Sequence, residues 1–324
     1  MDYEVKYMPG YMTHYIFGRE EYKKIPSEEI REAIRRNRTV YNLGLQGPDI
    51  FFYNPMSFMM SFKNPGSIMH TKNVNIYFTD MLNYILRTSD RKDRDILISY
   101  LCGFIGHYSL DVRIHPYIYG RTNYDNKNIL YHGKHIALET DLDYLMVQKY
   151  LKKNISEIQY GNLIKLTKYQ SQVISNMLTY VLDNAFYEIK ANNFIISRAV
   201  KDSSRLVNIF TDKKKKKKRT IKTLSYAIIS LKNLETLFIY DDYETIFSDP
   251  ANENNRVWEN HRIKIKENRI KCRDSFFDLL TEADRDFLRR VDLLSKAIES
   301  DNANVFRKGI GNKSFLSGIE IKKS

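Results

Sequence analysis

Cysteine is nearly absent: Cys102 and Cys272 are the only two in 324 residues. They stand too far apart in the chain to suggest a disulfide framework. Cys102 falls in the apolar run SYLCGFIG, which fits a buried free thiol. Glycine and proline are also few, at 13 and 7, so helix breakers and turn-makers are scarce and the chain leans towards helix. Strand-type alternation is scarce, and no internal repeat of useful length is seen. The first twenty residues mix charge and tyrosine with no apolar stretch of the signal-peptide type. No run approaches 18 apolar residues, so a membrane span is not expected and the cytoplasm is the simplest location.

What is present is a chain with 43% hydrophobic and 28% charged residues, in the range of soluble globular proteins and long enough for one large domain or two of ordinary size. Tyrosine is abundant at 24 and phenylalanine adds 17. The net charge of +13 is uneven: residues 1–150 carry +2 and residues 151–324 carry +11. A basic second half suits an anionic neighbour, either nucleic acid or a phospholipid surface. Its densest part is Lys213–Lys218 followed by Arg219, within a Lys-rich loop at 212–219. Like charges in a row resist packing, so this reads as a solvated loop or as a contact to an anionic membrane. Nothing implies a protein partner.

The pattern predicts an all-α fold. Helices are expected over 15–25, 27–36, 71–87, 93–115 (stopping before Pro116), 135–152, 164–191, 194–210, 220–239 and 273–299. Residues 41–69, with six Gly and Pro, read as a long ordered loop, and loops of that length are usually functional. We divide the chain into a metal-binding helical region, 1–152, and a helical C-terminal region, 153–324, packed together as one catalytic unit.

Histidine carries the chemistry. Six of seven, His14, His70, His107, His115, His132 and His135, lie in the first 140 residues, and only His261 lies outside. Imidazole and carboxylate are the usual zinc ligands. His107, Asp111 and His115 recur every four residues, which puts them on one face of a largely apolar helix. Gly103 and Gly106 just before them permit close approach of another helix. Three buried polar groups need three partners. His135 and Glu139 repeat the spacing, with His132 three residues earlier, while Asp141 and Asp143 read as solvated. His14, His70 and Asp49 (after Gly-Pro in the long loop) can supply further ligands. The expectation is a cluster of divalent ions, zinc, in the first 140 residues.

The ordered series MPGYMTHYIFG, YNLGLQGPDIFFY, GSIMH, GFIGHYSLDVRIHPYIYGRT and YHGKHIALETDLD resembles the bacterial zinc-dependent phospholipase C family, over roughly residues 8–145, and NKSFLSGI near the end is similar as well. The resemblance implies an all-helical fold with two to three zinc ions. It implies that His70, His107 and Asp111 hold one, that Asp111 bridges to a second held by His14, that His135, Glu139 and one more histidine hold another, and that Asp49 activates water. The related single-strand-specific nucleases use the same cluster on nucleic acid.

Two departures bear on this. In the secreted phospholipases a processed N-terminal Trp completes the His14 site. Here thirteen residues precede His14 and none is Trp, so that site is either incomplete or completed by other atoms. The spacing from Asp111 to the next histidine is also shorter, which leaves either His115 or His132 as the partner of His135 and Glu139. The tail reads helical, unlike the membrane-binding β-sandwich of some clostridial toxins of the family.

The implied reaction is phosphodiester hydrolysis of a phospholipid to diacylglycerol and a phosphorylated head group. Phe51, Phe52 and Tyr53, with Met56, Phe58 and Met59, are candidates for an acyl-binding mouth. The alternatives are a zinc phosphodiesterase or nuclease, and a non-catalytic metal-stabilised protein that binds membranes.

Overall fold

The computed structural model describes residues 10–52, 64–123, 129–154, 157–207, 220, 243–265 and 268–321; the side chains of 129–132, 206–207 and 261–268 are outside that description. The fold is all-α. The helices are α1 (Tyr11–Tyr22), α2 (Glu28–Arg36), α3 (Arg38–Gly44), α4 (Pro65–Met69), α5 (Val74–Arg87), α6 (Arg91–Arg121), α7 (Ile129–Met146), α8 (Tyr160–Leu163), α9 (Lys168–Ala185), α10 (Asn193–Val207), α11 (Phe276–Glu299) and α12 (Ala303–Gly309), with a 3₁₀ turn at Gly47–Phe51 and a π-helical turn at Val147–Leu151. No described helix is long and apolar enough to cross a membrane.

The axis of the molecule is α6. It is buried nearly all round from Ile96 to Gly120, as befits a central helix wrapped by others. Asp90 caps its start, accepting from the Asp93 N–H at 2.8 Å. α1, α2, α3, α5, α7, α9 and α11 all pack against it. The approach of α3 is the tightest. A Cβ on Gly103 would sit 2.2 Å from the Tyr41 carbonyl oxygen, and one on Gly44 would sit 2.3 Å from that of Tyr100. Gly103 therefore does what its place in the sequence predicts. A continuous apolar core runs from Tyr11 in α1 to Phe315, joining residues from both halves of the chain.

Several boundaries differ from expectation. α6 does not stop before Pro116 but runs through it to Arg121. Proline removes the donor that the Val112 carbonyl would have had. Gly318 closes over that carbonyl, near enough that a Cβ would lie 2.6 Å from the oxygen. The stretch 41–69 is not one irregular loop: α3 reaches Gly44, the 3₁₀ turn follows, and α4 starts at Pro65. α7 begins at Ile129, six residues before the expected start at His135.

A two-stranded antiparallel hairpin, β1 (Trp258–Ile265) and β2 (Asn268–Cys272), was not expected; Trp258 pairs with Cys272 and Ile265 with Asn268. It lies on the far end of α6, with the Trp258 ring edge-on to Tyr117 at 5.5 Å. Cys102 is a buried free thiol, as expected. The expected helix at 220–239, apart from residue 220 itself, and the Lys213–Lys218 run lie outside the described residues.

Between α1 and α11, Glu21 and Asp284 share Lys24, whose Nζ is 2.9 Å from Glu21 Oε1 and 2.9 Å from Asp284 Oδ2. Burial, and then the carboxylate of Asp284 beside it, push the Glu21 carboxyl from 4.5 up to about 8, with Lys24 pulling the other way. A carboxyl whose pKa is raised on folding holds its proton in the fold longer than in the open chain. Its stability contribution is therefore full below about 4.5 and is lost as pH rises towards about 8. Glu21→Gln should remove that slope: the variant should match the parent at pH 5 and exceed it at pH 8 in urea denaturation. A parent at least as stable at pH 8 as the variant would contradict the assignment.

Candidate metal centre

α6 sets the centre. Its four-residue period brings His107, Asp111 and His115 to one face, and burial leaves His70 and His107 at 0% exposure and Asp111 at 3%. Around this stripe the other elements deliver their own ends. α1 brings His14, the 3₁₀ turn brings Asp49, the end of α4 brings His70, and α7 brings His135 and Glu139.

Each delivery has a local cause. Asp143 of α7 is not solvated, as the sequence suggested. It is 2% exposed and accepts the N–H groups of Gly10 and Met12 at 3.2 Å and of Thr13 at 2.7 Å. It thereby supplies in trans the cap that the start of α1 lacks, one residue before His14. Asp141 is buried too, and accepts from Tyr243 Oη at 2.6 Å and from the N–H groups of Ile246 and Phe247 at 3.0 and 2.8 Å. Gly47 has φ +51°, and a Cβ there would lie 2.3 Å from His107 Cδ2, so only glycine lets the chain turn over that ring. Asn64 caps α4 through the Gly66 N–H and donates to the Phe51 carbonyl, both at 2.8 Å, tying Asp49's turn to His70's helix.

Three groups result, each with its candidate ligand atoms within 4.8 Å of one another: His14, His107 and Asp111; Asp49, His70 and His107; and His115, His135 and Glu139. Asp111 stands between them. Its Oδ1 is 3.2 Å from His14 Nε2, while its Oδ2 is 3.0 Å from His107 Nε2, 3.7 Å from His70 Nε2 and 3.5 Å from His115 Nδ1. His70 Nε2 is 3.2 Å from Asp49 Oδ1, and His135 Nε2 is 3.2 Å from Glu139 Oε1. The His14 and His107 rings stack at 4.3 Å. A cavity whose lining includes Thr13, His14, Asp111, His115 and Glu139 opens between the first and third of these groups.

These residues fit a metal cluster on two counts. Ligand atoms about 2.0–2.1 Å from a tetrahedral zinc lie about 3.3 Å from one another, close to the separations here. Moreover, His14 Nδ1, Asp49 Oδ1, His70 Nε2, His107 Nε2, Asp111 Oδ2 and Glu139 Oε2 are buried without a hydrogen-bond partner. Buried polar atoms are normally satisfied, so such a concentration points to an ion as the missing partner.

The opposite ring nitrogens are well held. Nδ1 of His70 faces the Gly66 carbonyl at 2.6 Å, that of His107 the Leu45 carbonyl at 3.1 Å, and that of His115 the Phe315 carbonyl at 3.0 Å. An Nδ1–H donated to a carbonyl fixes the tautomer and leaves Nε2 as the lone pair.

The electrostatics agree. Burial works against charge on Asp111, yet the surrounding His107, His115 and His14 hold its carboxyl well below the ordinary range. Burial likewise works against protonated His70, but Asp111 and Asp49 carry it up to about 9, and Asp111 raises His14 in the same way. Burial lifts Glu139 to about 7, against the pull of His115. Protons and metal ions thus compete for one set of lone pairs.

Of the sequence-predicted residues, His14, Asp49, His70, His107, Asp111, His115, His135 and Glu139 all converge. His115, one of two alternatives, joins His135 and Glu139; the side chain of His132 is outside the described residues. Phe51 is fully buried in the core, whereas the Phe52 ring stands 5.7 Å from His70. Tyr53, Met56, Phe58 and Met59 lie outside the described residues. Sequence reasoning missed Asp143, Gly47 and Phe315; the familiar NKSFLSGI was the signal for the last.

The family model described as zinc dependent phospholipase C matches residues 13–238, so the chain belongs to that family. Neither the curated proteins nor the solved structures contain a significant match.

Removing the trans cap should loosen α1. Asp143→Ala should cost about 1–2 kcal/mol in metal-free chemical denaturation, with Asp143→Asn intermediate. An unchanged midpoint for both would contradict the capping role.

Proposed function

We propose that this chain is a phospholipase C-type zinc hydrolase that splits a phospholipid into diacylglycerol and a phosphorylated head group. Membership of the family supports the reaction type, and the observation that carries the residue assignment is the meeting of three histidine–carboxylate groups around Asp111. In this reading His70, His107 and Asp111 would hold one zinc, and His14 together with Asp111 a second. His115, His135 and Glu139 would hold another. The helical regions before and after residue 152 act as one catalytic unit around the shared core.

When bound, the zinc ions supply Lewis-acid polarisation of the phosphoryl group, neutralisation of its charge and a lowered pKa for water. The chain's own residues do the rest. The Nδ1 hydrogen bonds of His70, His107 and His115 keep the ligand nitrogens aimed before substrate arrives, so little reorganisation is needed. Asp49 orients the attacking water and takes its proton, acting through a carboxylate oxygen with no hydrogen-bond partner of its own. The water oxygen bonds to phosphorus, the bond from phosphorus to the glycerol oxygen breaks, and the proton that Asp49 took from the water returns through solvent to that oxygen, which leaves as the diacylglycerol hydroxyl. Asp49 also faces His70 at 3.2 Å, so a ligand role is open to the same carboxylate. Phe52 and Tyr53 border the acyl entrance, and Lys213–Lys218 contacts an anionic membrane surface.

The zinc-loaded chain should release a water-soluble phosphate ester from phosphatidylcholine vesicles. Asp49→Asn should keep its zinc and lose about 100-fold or more in turnover. Full activity in that variant would contradict the water-activating role, and loss of zinc would make Asp49 a ligand instead. Intact vesicles together with cleavage of single-stranded DNA or RNA would move the substrate to nucleic acid, which the +11 charge of residues 151–324 would suit.

A further inference from the structure

The segment that follows α12, residues 310–321, lies beyond the 13–238 stretch matched by the family model. It is nonetheless built into the metal centre. The Phe315 N–H donates to the backbone carbonyl of His70 at 3.0 Å, and Ser314 Oγ donates to the same oxygen at 3.3 Å. The Phe315 carbonyl faces His115 Nδ1 at 3.0 Å. The two backbone polar groups of one residue thus go to two histidines that belong to different candidate metal groups. The Phe315 ring, fully buried, lies 5.1 Å from the His70 ring and 5.8 Å from that of His107.

The segment is rigidly held. It folds on itself through Ser314 N to the Ile319 carbonyl at 2.9 Å and Ile321 N to the Asn312 carbonyl at 2.7 Å, with Lys313 bridged to Glu320. It is anchored to α6 one residue beyond His107. Tyr108 Oη accepts the Lys313 N–H at 2.9 Å, and the buried Arg290 spans from the Ile310 carbonyl at 3.1 Å to Ser109 Oγ at 2.9 Å, its guanidinium 4.5 Å from the Tyr108 ring centre. A plug that only filled space would need the Phe315 side chain. Here the backbone is used as well, and on residues proposed as ligands.

We propose that residues 310–321 are a positioning clamp that couples the His70 group to the His115 group, so that zinc held by one strengthens zinc held by the other; this rests on the zinc-binding reading above. The clamp holds the backbone of His70 and the tautomer of His115 through adjacent atoms. Any movement of Phe315 is therefore felt by both. Loss of outer partners of metal ligands typically weakens the metal by about 10–100-fold.

Gly318 gives a way to lift the clamp without touching an atom of the centre. It has φ +69°, and a Cβ there would lie 2.6 Å from the Val112 carbonyl oxygen. The experiment is a zinc competition titration of the full chain against a chromophoric chelator. Gly318→Ala and Phe315→Ala should each bind zinc at least tenfold more weakly, and Phe315→Leu, which keeps an apolar side chain on the same backbone, should stay near the parent. His115→Ala should weaken the zinc that remains in the parent background and add nothing in Gly318→Ala. The rise in Tm on adding zinc should shrink in the weakened variants beyond any fall in the metal-free Tm. Variants that bind zinc like the parent, with only the metal-free Tm lowered, would overturn the proposal and leave a packing element. If Gly318→Ala does not fold, the Phe315 pair decides, and equal affinity for Ala and Leu overturns it. A parent that takes up no zinc would instead contradict the zinc-binding reading.

Discussion

The Asp111 carboxylate is buried in the middle of the molecule, on the helix around which the others are packed. An isolated carboxylate there would be prohibitively costly, so it must be surrounded by compensating positive charge. Four histidines supply the setting: His14 and His107 face one oxygen each, and His70 and His115 come within 3.7 and 3.5 Å of Oδ2. Each of these arrives on a separate segment or turn, so the arrangement exists only when α1, α4 and α6 are all in register. The site and the fold are therefore one problem.

Much of the scaffold serves that arrangement rather than bulk packing. Asp143 caps α1 from α7, Asn64 joins the Asp49 turn to α4, and Gly47 leaves room for the His107 ring. Backbone carbonyls at Leu45, Gly66 and Phe315 fix three imidazoles from behind. The elements nearest the chemistry are short turns and helix ends, yet they are buried. Their accuracy comes from α6 behind them, where Gly44 and Gly103 allow backbone contact between helices.

The main helices and the stripe of His107, Asp111 and His115 along α6 were legible because both rest on local periodicity. His-x3-Asp-x3-His on an apolar helix admits few readings, and His135 with Glu139 repeats it. What failed depends on partners distant in sequence. Asp141 and Asp143 look like solvated acids until their backbone donors, more than 100 residues away, are in place. Pro116 looks like a helix stop because nothing local shows Gly318 covering the freed carbonyl. The meeting of His115 with His135 and Glu139 likewise needed the packing of α6 against α7. The hairpin is a different case: HRIKIK and NRIKC do alternate, but two short basic strands carry little weight in a chain otherwise so helical.

Anomalous diffraction at the zinc edge from crystals of the zinc-loaded chain tests the central claim most directly. The account predicts two to three peaks clustered around Asp111, each about 2.0–2.2 Å from nitrogen and oxygen ligands of the three groups. No peak within ligand distance of Asp111, with zinc found only at other residues or not at all, would contradict it.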